Sequence, residues 1–276
     1  MFRLLDGRKL SRKILKEVKK KIEKNSLRLR LAVVQVGKNP VSEVYIRNKC
    51  RAAKKVGMKF KVYRFASGLE TERLKEEIKK ICQNPRNSGI IIQLPLPKKF
   101  SQEALLNLIP WKKDIDVLSS GALGKFYQGR SKVIPPTVDG ILEILEGYKI
   151  RLKGKNVAVV GAGKLVGLPL SIELIRRKAT ISILNEFTKD PSSFTKRADI
   201  LISGVGKPGL IRGDMVKRGV VVVDAGTKMV QGKLKGDVDF QSVSKKAGYI
   251  TPVPGGVGPL TVACLLRNLV KLNLNR

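Results

Sequence analysis

Two rhythms of apolar and polar positions take turns along the chain. Leu10, Ile14, Leu15, Val18 and Ile22 recur at helical spacing and predict an amphipathic helix over Leu10–Lys24. Leu31–Val36 reads as a short apolar strand and Lys59–Phe65 as an alternating one. Gly89–Ile92 reads as a buried strand that runs into Gln93-Leu94-Pro95-Leu96-Pro97. Between the strands lie a predicted helix over Val41–Gly57, with Ser42 as its N-cap, and a charged amphipathic helix over Glu70–Cys82. Alternating strands and helices predict a small α/β domain with parallel strands. Trp111–Pro136 is rich in Gly and Ser and reads as one long irregular stretch, followed by a helix over Thr137–Tyr148.

The second half opens on a fully apolar strand, Asn156–Val160, and passes at once into Gly161–Gly167, GAGKLVG. A helix through Arg177 and strands over Ile181–Leu184, Ile200–Ser203 and Val220–Asp224 follow. Strand, glycine turn, helix and strand make the dinucleotide-binding unit of a Rossmann-type domain. Thr251–Pro259, TPVPGGVGP, reads as a rigid loop and Leu260–Leu272 as a closing helix. The expected fold is α/β with two domains around a cleft. The first spans 1–138 plus 256–276, and the second, 139–255, is Rossmann-type with a parallel sheet.

Composition narrows the chemistry. A chain of 276 residues with 42% hydrophobic content has enough material for one large or two modest cores. Its 56 Lys and Arg against 22 Asp and Glu give a net charge of +34, a field that favours anionic partners. The cations are scattered at helical spacing, with no basic-aromatic stripe for stacking bases, so a solvated cationic surface is expected rather than a nucleic-acid site. There is no histidine, which removes the usual general base, the usual zinc ligand and the Ser-His-Asp triad. Three separated cysteines fit a reducing compartment. No apolar run reaches membrane-spanning length and the start lacks a signal-peptide stretch, so a soluble cytoplasmic protein is expected.

Against that background a few side chains stand out. Tyr45 and Lys49 are four apart on one predicted helix face, a pairing that suits a flat aromatic ligand beside a proton-handling amine, or a solvated pair with buried stems. Gln93 sits at the carboxyl end of a buried strand, where parallel α/β sheets place ligands, or where a strand-end polar cap would sit. Asp114 and Asp116 face alike if their loop is extended. With no third ligand nearby a metal is not expected, and one Asp accepting from a guanidine-like edge suits such a loop better. Gly161-Ala162-Gly163 lets backbone approach a pyrophosphate, although Gly167 falls one place later than the usual third glycine. Glu186, just past the next strand, can accept from a ribose diol and repel a 2′-phosphate, or stand as a solvated loop carboxylate.

The sequence resembles the bifunctional methylenetetrahydrofolate dehydrogenase/methenyltetrahydrofolate cyclohydrolase family over nearly its whole length. The resemblance is carried by Ser42–Tyr45 with Lys49, Gln93–Pro97, Lys113–Asp116, Gly154–Pro169, Ala198–Gly209, Gly236–Phe240 and above all Thr251–Thr261, TPVPGGVGPLT. It implies that Lys49 is the amine of the cyclohydrolase step, positioned by Gln93, that Tyr45 stacks on the folate, and that Asp116 binds the pterin edge. It further implies substrate contacts at Pro254, Gly255, Gly256 and Thr261. Cofactor contacts are implied at Gly161, Ala162, Gly163, Val166, Gly167, Asn185, Glu186, Gly204, Val205 and Gly206. NAD or NADP, a tetrahydrofolate substrate that can be polyglutamylated, and a homodimer joined through the Rossmann domain come with it.

Four departures matter. The family's Gly-Arg-Ser turn is Gly161-Ala162-Gly163 here and its His-Ser pair is Asn185-Glu186, so NAD is expected to be preferred. A usual Gly is Val117, and Pro-Cys-Thr-Pro is Pro135-Pro136-Thr137-Val138. The rival readings are a member with only one of the two activities, a Rossmann oxidoreductase on another small anion, and a nucleic-acid binder.

Overall fold

The computed structural model describes residues 2–274. Its contacts divide the chain into two compact units. One comprises residues 12–136 and the chain from Val262 onward; the other comprises the chain up to Ser11 and residues 137–261. A two-residue strand, β1 (Arg3–Leu4), and helix α1 (Gly7–Lys24) open the chain.

The first unit is built on strand β2 (Arg30–Val36), buried from Leu31 onward because it carries neighbours on both edges. Strand β3 (Lys59–Phe65) pairs with it in parallel on one side and β4 (Gly89–Ile92) on the other. Helix α2 (Pro40–Lys55) connects β2 to β3, and α3 (Thr71–Gln83) connects β3 to β4. Leu74, Ile78 and Ile81 of α3 pack on Ala32, Val34, Ile90 and Ile92, a core of shape-fitting aliphatics. Helix α4 (Gln102–Leu106) follows β4. The stretch expected to be irregular contains a further helix, α5 (Ser120–Tyr127), capped by Ser119 and anchored by buried Ala122 and Phe126. Its Gly and Ser content hides it, since both residues disfavour helix interiors.

The second unit takes in β1 and the start of α1, resumes at α6 (Pro136–Gly147) and holds β5 (Asn156–Val160), α7 (Gly167–Arg176), β6 (Thr180–Leu184), α8 (Pro191–Thr195), β7 (Ile200–Ser203) and β8 (Val221–Asp224). An antiparallel pair, β9 (Lys228–Val230) and β10 (Lys233–Lys235), then α9 (Phe240–Ser244), β11 (Tyr249–Ile250) and α10 (Val257–Lys271) complete the chain. The sheet order is β1-β11-β8-β7-β5-β6 and every pairing is parallel. The chain runs from β5 to β6 on one side and then crosses to β7 on the other. The carboxyl ends of β5 and β7 therefore flank a topological switch point, where such sheets bind ligands.

The division differs from the expected boundaries at three places, the smallest being residues 137–138, which fall in the second unit. β1 pairs with β11, Leu5 N donates to Ile250 O, and Gly7 fits directly against the Gly256 carbonyl, so the first residues pack with the Rossmann-type unit. Residues 256–261, Gly256 with the start of α10, belong there too. A strand of two residues leaves no periodicity to read, which is why β1 and β11 are silent in the sequence. Helix α10 also begins at Val257, inside the tract expected to be loop.

Candidate functional site

Helix α2 is set by Asn39, whose side chain accepts from Ser42 N at 3.0 Å, with Pro40 in the first turn. Ser42 is thus not the cap. Its hydroxyl instead donates to Leu94 O at 3.2 Å, tying α2 to the segment after β4. The buried face carries Ser42, Ile46, Lys49 and Ala53, with Val56 just beyond. Lys49 therefore sits on the core side of its helix, only 8% exposed. Tyr45 lies one turn earlier and is half-buried.

Lys49 Nζ donates to Gln93 Oε1 at 2.9 Å. Gln93 N donates to Val34 O and its side-chain Nε2 donates to Leu94 O, both at 2.8 Å, so the backbone is fixed to β2 and the side-chain amide is turned with its oxygen toward the lysine. Burial pushes the Lys49 amine below the ordinary lysine range, and Asp116 opposes that shift. Burial pushes the Asp116 carboxyl up, against the pull of Lys49 and with a further push from Asp114. Asp116 keeps some accessible surface, yet its carboxyl is enclosed enough for desolvation to dominate. Lys49, Gln93 and Asp116 thus come together in one unit, supplied by α2, the residue just after β4 and the segment between α4 and α5.

Asp114 does not join them. It is buried and accepts from Val117 N at 2.9 Å, Leu118 N at 3.0 Å and Ser119 N at 2.7 Å, so it shapes the loop. The alternation that would make Asp114 and Asp116 face alike fails because the chain bends at Ile115 and Asp116; the next residue, Val117, has φ +58. A β-branched residue in that region is strained by about 1–2 kcal/mol, which gives a physical reason for a glycine at this position. Full burial of the Val117 side chain works against the strain. Asn268 of α10 donates to Ile115 O at 3.0 Å and Ile134 O at 2.8 Å and pins the same loop.

In the second unit the turns after β5, β6 and β7 are level. Gly161 N donates to Leu184 O at 2.8 Å and Gly204 N to Val160 O at 2.9 Å. Gly161 has φ +105, in the region that favours glycine. A methyl group at Gly163 would meet nothing within 4 Å, whereas one at Gly167 would collide with the Gly161 carbonyl. Gly163 therefore leaves an open approach, and Gly167 is a packing glycine. Helix α7 starts at Gly167 after Val166, which offers no side-chain cap. An open glycine turn before an uncapped helix start fits a dinucleotide pyrophosphate. Asn185 closes its own turn, accepting from Phe187 N at 3.0 Å, and leaves Glu186 exposed at the tip. Val205 is exposed and Gly206 has φ +81.

Pro254 follows a cis bond and Gly255 has φ +121. The space beside Gly256 is filled by its own loop, Pro252 O and Thr251, so that glycine serves packing. Thr261 Oγ1 lies 3.4 Å from Thr137 Oγ1. A cavity of about 540 Å³ lies beside this tract, lined in part by Pro208, Asp224, Thr251, Pro252 and Val253. Among the buried acids that the sequence pattern does not single out are Asp224 and Asp237. Burial pushes the Asp224 carboxyl up to about 6, against hydrogen bonds from Val238 N and Asp237 N. The only signal for Asp237 was its place in Gly236–Phe240. No helix among the described residues is long and apolar enough to cross a membrane.

Two family models match this chain: tetrahydrofolate dehydrogenase/cyclohydrolase, catalytic domain, over residues 5–116, and tetrahydrofolate dehydrogenase/cyclohydrolase, NAD(P)-binding domain, over residues 135–276. The chain is 46% identical over 276 residues to bifunctional protein FolD of Nautilia profundicola, covering 99% of this chain and 97% of the relative. It is similar to the crystal structure of the bifunctional FolD enzyme of Campylobacter jejuni at a TM-score of 0.95 and 40% identity, with all of both chains covered. The Trypanosoma brucei methylenetetrahydrofolate dehydrogenase-cyclohydrolase, solved with NADP and an inhibitor, superposes at a TM-score of 0.93 with 31% identity, covering 100% of this chain and 99% of that one.

Proposed function

This chain belongs to the tetrahydrofolate dehydrogenase/cyclohydrolase family, and from that premise we propose how its residues divide the two reactions. The enzyme oxidises 5,10-methylenetetrahydrofolate to the 5,10-methenyl form with NAD(P) and hydrolyses that to 10-formyltetrahydrofolate, within one-carbon folate metabolism. The first unit carries the folate chemistry and the second holds the dinucleotide.

Lys49 is the proton-handling amine of the hydrolytic step, and the observation that carries this is its buried 2.9 Å bond to Gln93. Water adds to the methenyl carbon and one of its protons passes to the neutral amine; the bond from that carbon to N5 then breaks as the ammonium returns a proton to N5 and the remaining hydroxyl proton leaves to solvent, so that the formyl C=O stays on N10. A buried lysine whose pKa is already lowered is suited to start neutral, and a cationic methenyl substrate beside it favours the neutral form further. Gln93 aims the amine, Asp116 accepts from the pterin edge, and the Tyr45 ring stacks on the pterin. Pro254, Gly255 and Thr261 are carried over as substrate contacts, whereas Gly256, expected among them, is enclosed by Thr251, Pro252 and Gly7 and serves packing. A coupled assay that follows reduced cofactor and the methenyl chromophore together tests the assignment. Oxidation without any hydrolysis would remove the second reaction from this chain.

Gly161, Ala162 and Gly163 with Val166 and Gly167 at the head of α7 would hold the pyrophosphate. Asn185 and Glu186 would take the ribose, and Gly204, Val205 and Gly206 would form the facing wall. Bound NAD(P) supplies the hydride acceptor. Glu186 stands exposed where a 2′-phosphate would be repelled, and the turn offers no cation at 162 or hydroxyl at 163. We expect kcat/KM for NAD to exceed that for NADP by about tenfold or more, roughly the 1.4 kcal/mol of one such charge contact, and Glu186→Ser to narrow the ratio. A wild-type ratio at or below one overturns the preference.

The substrate includes polyglutamylated folates, favoured by the cationic surface, and that preference should weaken as salt rises. The enzyme works in the cytoplasm as a homodimer joined through the second unit. Support for the dimer comes from β6, an edge strand of the sheet, with exposed Ile175 and Ile183. A monomer mass by light scattering at micromolar concentration would remove it.

A further inference from the structure

The Gly236–Phe240 tract carries part of the family resemblance but has no role in the scheme above. Its Asp237 is fully buried, and each of its polar contacts is a donor. Ser203 Oγ donates to Oδ2 at 2.8 Å, Val205 N to Oδ2 at 2.7 Å and Lys207 N to Oδ1 at 2.8 Å. Two of those donors are backbone amides on either side of Gly206, and the third is the last residue of β7. A single carboxyl therefore fixes the peptide geometry of the turn that follows β7.

Asp237 is itself immobile. Asp224, the last residue of β8, accepts from Asp237 N at 3.1 Å, Val238 N at 2.9 Å and Gly226 N at 3.0 Å. A methyl group at Gly226 would collide with the Asp237 carboxyl and one at Gly236 with that of Asp224, so neither acid has room to turn. The turn it holds borders the phosphate-facing one, since a methyl group at Gly161 would lie 3.1 Å from Val205 Cγ2.

We propose that Asp237 is the positioning residue of the dinucleotide site: through three hydrogen bonds it holds Gly204–Lys207 in the shape that receives the cofactor. This rests on the reading of Gly204–Gly206 as a cofactor contact. Asp237 touches no substrate, and the hydrolytic step, which needs no dinucleotide, runs on residues of the first unit.

The test is Asp237→Asn, assayed for both reactions. An amide offers one acceptor oxygen, so at least one of the three donors must face its N–H₂. The KM for NAD should rise about tenfold or more, while kcat at saturating NAD stays within about threefold and the cofactor-free cyclohydrolase rate within about twofold. Ser203→Ala, which deletes one of the three bonds, should raise the same KM by about threefold. Val205→Asp places an anion on the turn itself and probes the underlying reading. If Val205→Asp leaves the NAD KM unchanged, the turn is not a cofactor contact and the proposal falls with that reading. If Val205→Asp raises it but Asp237→Asn does not, the positioning role alone is overturned. A parallel loss of both reactions in Asp237→Asn makes the residue merely structural. Should that variant fail to fold, an unchanged NAD KM in Ser203→Ala overturns the proposal and a raised one supports it.

Discussion

Lys49→Met is expected to lower cyclohydrolase turnover by about 10²–10⁴-fold, the range a positioned acid–base group contributes. Folding should survive, because the amine is already penalised by burial and methionine fills a similar volume. The loss falls on Gln93 Oε1, which is left without its 2.9 Å donor at about 1–3 kcal/mol, and on Asp116, which loses the neighbouring cation and is pushed further toward its neutral form. Dehydrogenase turnover should fall far less, since hydride transfer depends on how the two substrates are held and not on an amine at this position. The methenyl chromophore would then accumulate during oxidation. A variant that clears it within tenfold of the wild-type rate would show that Lys49 is not the group that handles the proton.

The pH profile sharpens that test. Burial lowers the Lys49 pKa, so the neutral amine, and with it the hydrolytic rate, should rise with pH along a limb centred below the ordinary value of 10.5. Asp116 pulls the other way by stabilising the charged amine. Asp116→Asn should therefore move the kcat limb to lower pH, while weakened pterin binding shows separately in KM. A limb that stays in place means that the titrating group is not Lys49.

The residues that carry this chemistry were legible for different reasons, and the illegible ones fail in physical ways. Lys49 and Gln93 stood out by residue type at positions set by a helix and a strand end, and the fold brings them to 2.9 Å. Nothing local says that this lysine, among so many, lies on the buried face; that emerges only when Ile46 and Ala53 are seen to share the face. The cap of α2 was misplaced because Asn39 and Ser42 are both good caps, and only the backbone decides between them. Asp114 was misjudged because Val117 adopts a conformation its own type resists, so tertiary burial overrode local preference. Asp224 and Asp237 do not stand out because all but one of the donors to their carboxyls, Gly226 N being the exception, lie more than ten residues away in the chain.

Gly167→Ala should nearly abolish the dehydrogenase reaction and leave the cyclohydrolase reaction standing. The added methyl group would overlap the Gly161 carbonyl and crowd Ala162 Cα, both backbone atoms that cannot rotate aside. Gly161 cannot retreat either, because Gly204 O and Val205 stand on its other side, and Gly204 is in turn confined by Val166. The turns after β5 and β7 are interlocked, so relieving one clash displaces both. Alanine's helix preference at the head of α7 returns at most about 1 kcal/mol, whereas overpacking here costs about 1–3 kcal/mol or more. The NAD KM should rise by about a hundredfold if that strain is spread over the pyrophosphate-facing turn, at 1.4 kcal/mol per factor of ten. Gly163→Ala is the matched control, since its methyl group would meet nothing within 4 Å and should leave thermal stability unchanged. If Gly163 faces the pyrophosphate, that variant too should raise the NAD KM, without any loss of stability. A Gly167→Ala enzyme with wild-type NAD kinetics would mean that the cofactor is held elsewhere and that the glycine turn is only a corner of the fold.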